Sequence, residues 1–163
     1  MNYFELFDIP VSLKIDKASL SKKYFDLQKK YHPDFYTQST DDEKSEALEK
    51  SSLINKALKT LQNEDETLKY VLQQKKLLEE EEKYALPPDF LMEMLELNEA
   101  VMEEEPAIIT KKIAAVEDEL YSAVEAIINN YKEGITTDKE LLEVKEYYYK
   151  KKYLQRILDR IDG

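Results

Sequence analysis

His32, Pro33 and Asp34 are the residues through which this chain could do chemistry. An imidazole two positions from a carboxylate has the makings of an acid–base pair, and equally of a rigid polar probe for another protein's surface. Pro33 cannot continue a helix and pushes His32 towards extended geometry, which puts all three residues in a loop. His32 is the only histidine and the chain has no cysteine, which removes disulfides, thiolate nucleophiles and thiolate metal ligation. The sequence shows no Gly-rich phosphate loop and no His-Glu-x-x-His pattern. Its carboxylates recur at solvated helical spacings instead of forming a recognisable pair. No metal and no cofactor is expected. Catalysis wants a concave pocket, which slender helices supply poorly, so docking is preferred to catalysis.

The elements around the tripeptide can be read from their periodicity. Leu20, Tyr24, Leu27 and Tyr31 fall at i, i+4, i+7 and i+11, one face of a helix opened by Asp16 as N-cap, and are expected to be buried. Lys22 and Lys29 lie about 180–200° from Leu20, on the opposite face, with Lys23 and Lys30 beside them. Thr40 and Glu43 have capping-box spacing and open another helix to about Gln62. Its Ala47, Leu48, Leu53, Ile54, Ala57, Leu58 and Leu61 are expected to face the preceding helix. Asn2 caps a short first helix, Tyr3 to Phe7, ended by Pro10, and Asn63 or Asp65 begins a fourth carrying Leu68, Val71 and Leu72.

A basic helix, an abrupt stop, His-Pro-Asp in a loop and a second long helix resemble the J-domain. The resemblance implies an antiparallel hairpin with the loop at its tip. It also implies docking on a DnaK-type chaperone, stimulation of that chaperone's ATP hydrolysis through His32, Pro33 and Asp34, and steering by Lys22, Lys23, Lys29 and Lys30. Two departures stand out: Phe35-Tyr36 follow the motif where a cation is common, and Phe25-Asp26 occupy the middle of the basic helix.

Composition sets the fold class. An apolar fraction of 42% suffices for a core, while 36% charged residues and only two glycines point to long solvated helices and argue against a hairpin-rich sheet. The charge is uneven: residues 1–78 are balanced, whereas residues 79–163 carry 11 basic and 22 acidic residues, the whole net charge of −11. Such a half repels nucleic acid and anionic membranes and favours a basic protein surface. With no apolar run of about 18 residues and no signal-peptide pattern, a cytoplasmic protein without membrane or nucleic-acid partners is expected.

Acidic residues 79–82, followed by Leu86-Pro87-Pro88, mark a linker. The expected organisation is a J-domain at 1–76, a linker at 77–88 and, at 89–163, an antiparallel three-helix bundle, all-α throughout. Its helices are Asp89 to about Glu104, Ala107 to about Tyr131, and Asp138 to about Ile161. The first of these has two apolar faces. Phe90, Met94, Leu97 and Val101 form a core stripe, while Leu91, Met92 and Leu95 lie about 150° away, bordered by Glu96, Glu99 and Glu103. An ordinary surface helix shows one stripe, so the second is read as a protein-binding face. In the last helix Leu141, Val144, Tyr147, Tyr148, Leu154, Leu158 and Ile161 share the core side, Lys151 snorkels, and Tyr149 and Tyr153 project outwards.

A J-domain beginning Asn-Tyr-Phe-Glu-Leu-Phe, joined to an acidic helical bundle opening Phe-Leu-Met-Glu-Met-Leu-Glu, is similar to the HscB family of iron–sulfur cluster co-chaperones. The similarity covers essentially the whole chain. It implies binding of the IscU-type cluster scaffold protein by the bundle and its delivery to the DnaK-type chaperone HscA. By motif position the scaffold-binding residues would be Leu91, Met92, Leu95, Glu96 and Glu99, with Glu103 and Tyr153. A J-domain protein serving a different client is the alternative.

Overall fold

The computed structural model describes residues 2–162, and it is helical, with no strand among the described residues. The helices are α1 (Tyr3–Phe7), α2 (Lys17–Tyr31), α3 (Asp41–Leu61), α4 (Glu64–Gln74), α5 (Pro88–Glu103), α6 (Pro106–Ser122), α7 (Glu125–Asn129) and α8 (Asp138–Asp162). A 3-10 turn, Pro33–Tyr36, sits between α2 and α3. Two compact units divide after Val71, inside α4 and earlier than the expected limit at 76.

In the N-terminal unit, side-chain caps define where helices begin. Asn2 accepts from the Glu5 N–H at 2.8 Å, Asp16 from Ala18, Thr40 from Glu43 and Asn63 from Glu66 at 2.9 Å, each satisfying an otherwise orphaned amide. The end of α1 is set by Asp8 in the left-handed region (φ 53°), two residues before Pro10. Helices α2 and α3 pack on each other and on α1. Phe4, Phe7, Leu20, Ile54, Ala57 and Leu61 are buried. Tyr70 stacks on Tyr3 with centroids 4.4 Å apart and accepts that residue's N–H at 2.9 Å. Buried Thr67 donates to the Asn63 carbonyl at 2.8 Å, keeping its hydroxyl satisfied.

Two expectations for this unit are corrected. Of Leu20, Tyr24, Leu27 and Tyr31, only Leu20 is buried; the others are half-buried. Towards the loop the hairpin becomes polar, with Asn55 accepting from both Tyr24 and Gln28. Leu48 is exposed (58%) instead of facing α2, since the buried stripe of α3 runs through Ala47, Ser51, Ile54 and Ala57 and Leu48 stands about 100° from Ala47.

The C-terminal unit packs α5, α6 and α8 around Phe90, Met94, Leu97, Ile109, Ile113, Leu154 and Ile157. Pro88 is the first residue of α5, one earlier than expected, because a proline at the first helical position lacks only an N–H that would be orphaned anyway. The expected helix from Ala107 to Tyr131 is broken into α6 and α7. Val124 leaves helical geometry (φ −120°, ψ −2°) and is buried. The apolar steps Val116, Leu120, Val124 and Ile128 run straight across the break with no Gly or Pro to mark it. Thr137 and Glu140 form a reciprocal capping box at the start of α8, both bonds at 3.1 Å. Gly134 supplies the positive φ (80°) in the preceding turn.

Residues 77–86, within the segment expected as a linker, are fastened to α8. Leu78 is buried, Lys145 Nζ lies 2.7 Å from both the Leu77 carbonyl and Glu82 Oε2, and Tyr84 stacks on Tyr149 at 4.6 Å. Tyr149 is therefore covered on one face instead of projecting free. Lys75 pairs with Glu133, which also accepts from the Tyr131 hydroxyl at 2.5 Å. Burial works against the Glu82 anion, but hydrogen bonds from Lys145 and the Glu79 amide hold its carboxyl below the ordinary 4.5. Stability from Glu82 is thus fully present above pH 4.5 and lost as pH falls through the depressed folded value. The stability gap between wild type and Glu82→Gln should be widest near neutrality and close on acidification, measured by denaturant melts across pH. Lys145→Ala should lose about 1–3 kcal/mol, less than a fully buried pair would.

Candidate functional site

The first candidate surface is built on the end of α2. His32 is its C-cap, donating its N–H to the Gln28 carbonyl at 2.9 Å and turning extended at φ −61°, ψ 131°. Pro33 then opens the 3-10 turn, and the Asp34 N–H donates to His32 Nδ1 at 3.2 Å. In the neutral ring this leaves the hydrogen on Nε2. Asp34 Oδ2 lies 3.6 Å from the same Nδ1, and the carboxylate is 84% exposed. The turn is tied back to the helix by Tyr36, whose hydroxyl donates to the Lys30 carbonyl at 2.7 Å. His32, Pro33 and Asp34 therefore form one braced structure whose polar groups face solvent.

The lysines of α2 do not act alike. Lys22, Lys29 and Lys30 are exposed, and Lys29 sits 4.7 Å above the Phe25 ring. Lys23 is half-buried and bonded to Asp8 at 3.3 Å, so part of its charge is compensated within the unit. Phe25 and Phe35 are 62% and 66% exposed. Phe35 meets His32 edge-on, with centroids 6.2 Å apart. Exposed aromatic rings thus stand where the resemblance led one to expect cations.

The second candidate surface is the outer face of α5. Phe90, Met94 and Leu97 are buried and Val101 half-buried, while Leu91, Met92 and Leu95 are 41%, 60% and 51% exposed. Glu96, Glu99 and Glu103 are exposed beside them. Met102, not among the residues expected on this face, extends the apolar row and is 88% exposed. Its position at i+7 from Leu95 would have identified it. Tyr153 is half-buried instead of pointing away from the core, because its ring packs edge-on against Phe90 at 6.1 Å. Lys151 reaches Glu117 at 3.8 Å with its stem along the bundle.

No cluster of three or more metal-ligating side chains occurs among the described residues, and no helix there is long and apolar enough to cross a membrane. The residues singled out are exposed, apart from half-buried Lys23, His32, Pro33 and Tyr153, and likeness to known proteins places the chain among the co-chaperones. A family model described as the HSCB C-terminal oligomerisation domain matches residues 86–162. Co-chaperone protein HscB homologs of Acinetobacter baumannii are 34% identical over 162 residues, covering 99% of this chain and 89% of theirs. The homolog from Colwellia psychrerythraea is 39% identical over 100 residues, covering 61% and 57%. The crystal structure of human co-chaperone protein HscB superposes with a TM-score of 0.82 at 29% identity, over 99% of this chain and 81% of that one. Chaperone HscB from Vibrio cholerae shares the fold, with a TM-score of 0.74 at 24% identity over 99% and 96%.

The chain belongs to the HscB co-chaperone family.

The two faces of α5 make opposite predictions for melting curves. Met94→Ala should destabilise by about 2–5 kcal/mol, since it empties core volume. Leu91→Ala, Met92→Ala and Leu95→Ala should each change stability by no more than about 0.5 kcal/mol.

Proposed function

We propose that the chain is an adaptor that brings an IscU-type iron–sulfur scaffold protein to a DnaK/HscA-type chaperone and stimulates the chaperone's ATPase, during iron–sulfur cluster assembly. The N-terminal unit acts as a J-domain, and the C-terminal unit holds the client. The observation that carries this reading is the exposed apolar row on α5, since an ordinary bundle helix would bury its one stripe and leave the rest polar. Family membership supplies the co-chaperone role, and the braced His-Pro-Asp turn fits a docking probe.

The mechanism is coupling through proximity. A client held by one unit meets the chaperone engaged by the other, so its transfer becomes effectively intramolecular. Lys22, Lys29 and Lys30 steer the encounter with an acidic chaperone surface, helped less by Lys23, which Asp8 already engages. His32, Pro33 and Asp34 then make the short-range contact. Leu91, Met92 and Leu95 supply the desolvated centre of the client interface, with Glu96, Glu99, Glu103 and Tyr153 at its border. Half-exposed His32 and exposed Asp34 lack the water-excluded setting that acid–base chemistry wants, and the chain contributes no step of hydrolysis itself.

The test is a matched pair of measurements, single-turnover ATPase of the chaperone and calorimetric titration of the scaffold protein. His32→Gln should abolish stimulation with melting and scaffold affinity unchanged. Leu91→Ala, Met92→Ala and Leu95→Ala should each weaken scaffold binding by about 1–2 kcal/mol or more, leaving stimulation by the N-terminal unit intact. Large destabilisation by these three with unaltered scaffold affinity would assign them to the core and remove the reading.

Salt gives an independent check. Lys22→Ala and Lys29→Ala should weaken stimulation most at low ionic strength, because exposed charges are screened beyond about 8 Å at physiological salt. Wild-type stimulation that is indifferent to salt would exclude electrostatic steering.

A further inference from the structure

The C-terminal unit is strongly acidic, with 22 acidic against 11 basic residues in 79–163, yet one groove reverses the sign. Residues 82–86 and α8 enclose about 240 Å³ lined by Lys83, Tyr84, Tyr149, Lys152, Tyr153 and Arg156. Glu82 also borders it, but its carboxylate is already held by Lys145 at 2.7 Å. Lys83, Lys152 and Arg156 are exposed, and none forms an ion pair among the described residues. Elsewhere in the unit Lys75, Lys112, Lys145, Lys150 and Lys151 each have a carboxylate within 4 Å, whereas Lys76, Lys111, Lys132 and Lys139 have none among the described residues. What sets Lys83, Lys152 and Arg156 apart is that all three line one groove. Lys152 Nζ lies 5.9 Å from the Tyr148 ring centroid, a contact that leaves its charge uncompensated. Cations without a carboxylate partner beside stacked tyrosines, within a body of opposite charge, are poised for an external anion.

The groove also has a place relative to α5. Tyr153, on its wall, lies edge-on to Phe90 at 6.1 Å, and Lys150 Nζ sits 5.4 Å from the same ring. Leu91, the next residue along α5, begins the exposed apolar row. The cationic groove and that row are therefore neighbours across the start of α5, and a protein covering one reaches the other.

We propose that the groove receives a carboxylate-bearing segment of the client that covers Leu91, Met92 and Leu95. This rests on the client-docking reading of α5. The client surface is then bipartite: basic groups face Glu96, Glu99 and Glu103, an apolar centre faces the leucines, and an acidic segment enters between Lys83, Lys152 and Arg156. Opposite signs at the two ends fix the register of the client, since a reversed approach sets like charges against each other at both ends. Phosphate-rich polymers fit the groove in charge alone, but the surrounding net charge repels them.

Calorimetric titration of the full chain with a purified IscU-type scaffold protein, at low and physiological salt, tests the assignment. Lys152→Glu/Arg156→Glu should weaken binding tenfold or more, with the loss larger at low salt and melting unchanged. Lys132→Glu/Lys139→Glu, an equal charge change at exposed positions outside the groove, should stay within twofold of wild type. No loss from the first pair, or equal loss from both, overturns the proposal. If the wild-type chain does not bind the scaffold protein, the α5 reading has failed by itself, and a hexaglutamate peptide is titrated instead. Peptide binding that the Lys152/Arg156 reversal abolishes keeps the groove as an acidic-segment site, and no binding removes it. Wild-type self-association that the same reversal abolishes, seen by sedimentation, gives the groove to the acidic residues of a second copy and overturns assignment to a client.

Discussion

A helix turns about 100° per residue, and that constraint governs the C-terminal unit. Once Phe90, Met94 and Leu97 are committed to the core, Leu91, Met92 and Leu95 must stand on the far side. No rotation of α5 buries both sets against α6 and α8. Keeping apolar side chains at the second set leaves an exposed row on a helix that is otherwise well anchored. The anchoring matters for binding: a rigid backbone holds the row in one geometry, so a partner that covers it immobilises little. Met92 and Met102 add side chains that can adapt their shape, which suits a surface meeting a partner's uneven contour.

In the N-terminal unit the governing constraint is steric and sits at Pro33. The ring stops α2, forces His32 extended and starts a 3-10 turn in the same step. The local hydrogen bonds follow. The Asp34 amide, orphaned in the first turn of the 3-10 helix, is taken by His32 Nδ1, and the Lys30 carbonyl, orphaned at the end of α2, is taken by Tyr36. What remains open to solvent is the outer edge of the imidazole and the Asp34 carboxylate, 84% exposed, which are the groups a docking partner would meet. Phe35 and Phe25 add apolar area around them, so the surface offers more than charge.

Much of this was legible in the residues because local rules governed it. Asn2, Asp16 and Thr40 cap helices where side-chain chemistry says they should, and the two faces of α5 separate by periodicity alone. Failures occurred where tertiary packing overrode local pattern. The break at Val124 is invisible because the apolar stripe runs on through it. Residues 77–86 look like a linker by their acidity, yet a lysine far along the sequence, Lys145, fastens them. Tyr149 and Tyr153 looked free by their angle on α8, but Tyr84 and Phe90, contributed by other segments, lie against their rings. Leu48 shares the apolar chemistry of the buried stripe of α3 but stands about 100° from Ala47, off that stripe.

The same failures mark where the charges of the C-terminal unit are rearranged by packing. By fastening 77–86 to α8, Lys145 neutralises Glu82 and brings Tyr84 onto Tyr149, so one lysine both closes the strap and prevents a carboxylate from quenching the cations beside it. Without that pairing, Glu82 would compete for one of Lys83, Lys152 and Arg156, leaving two of the three cations open. The ion pair is therefore placed where its structural and electrostatic consequences coincide. An acidic body that spends a mostly buried lysine on one of its own glutamates, while leaving two lysines and an arginine open nearby, has a local field that its overall charge conceals. Net charge predicts what such a protein repels at a distance, whereas pairing decides what it accepts on contact.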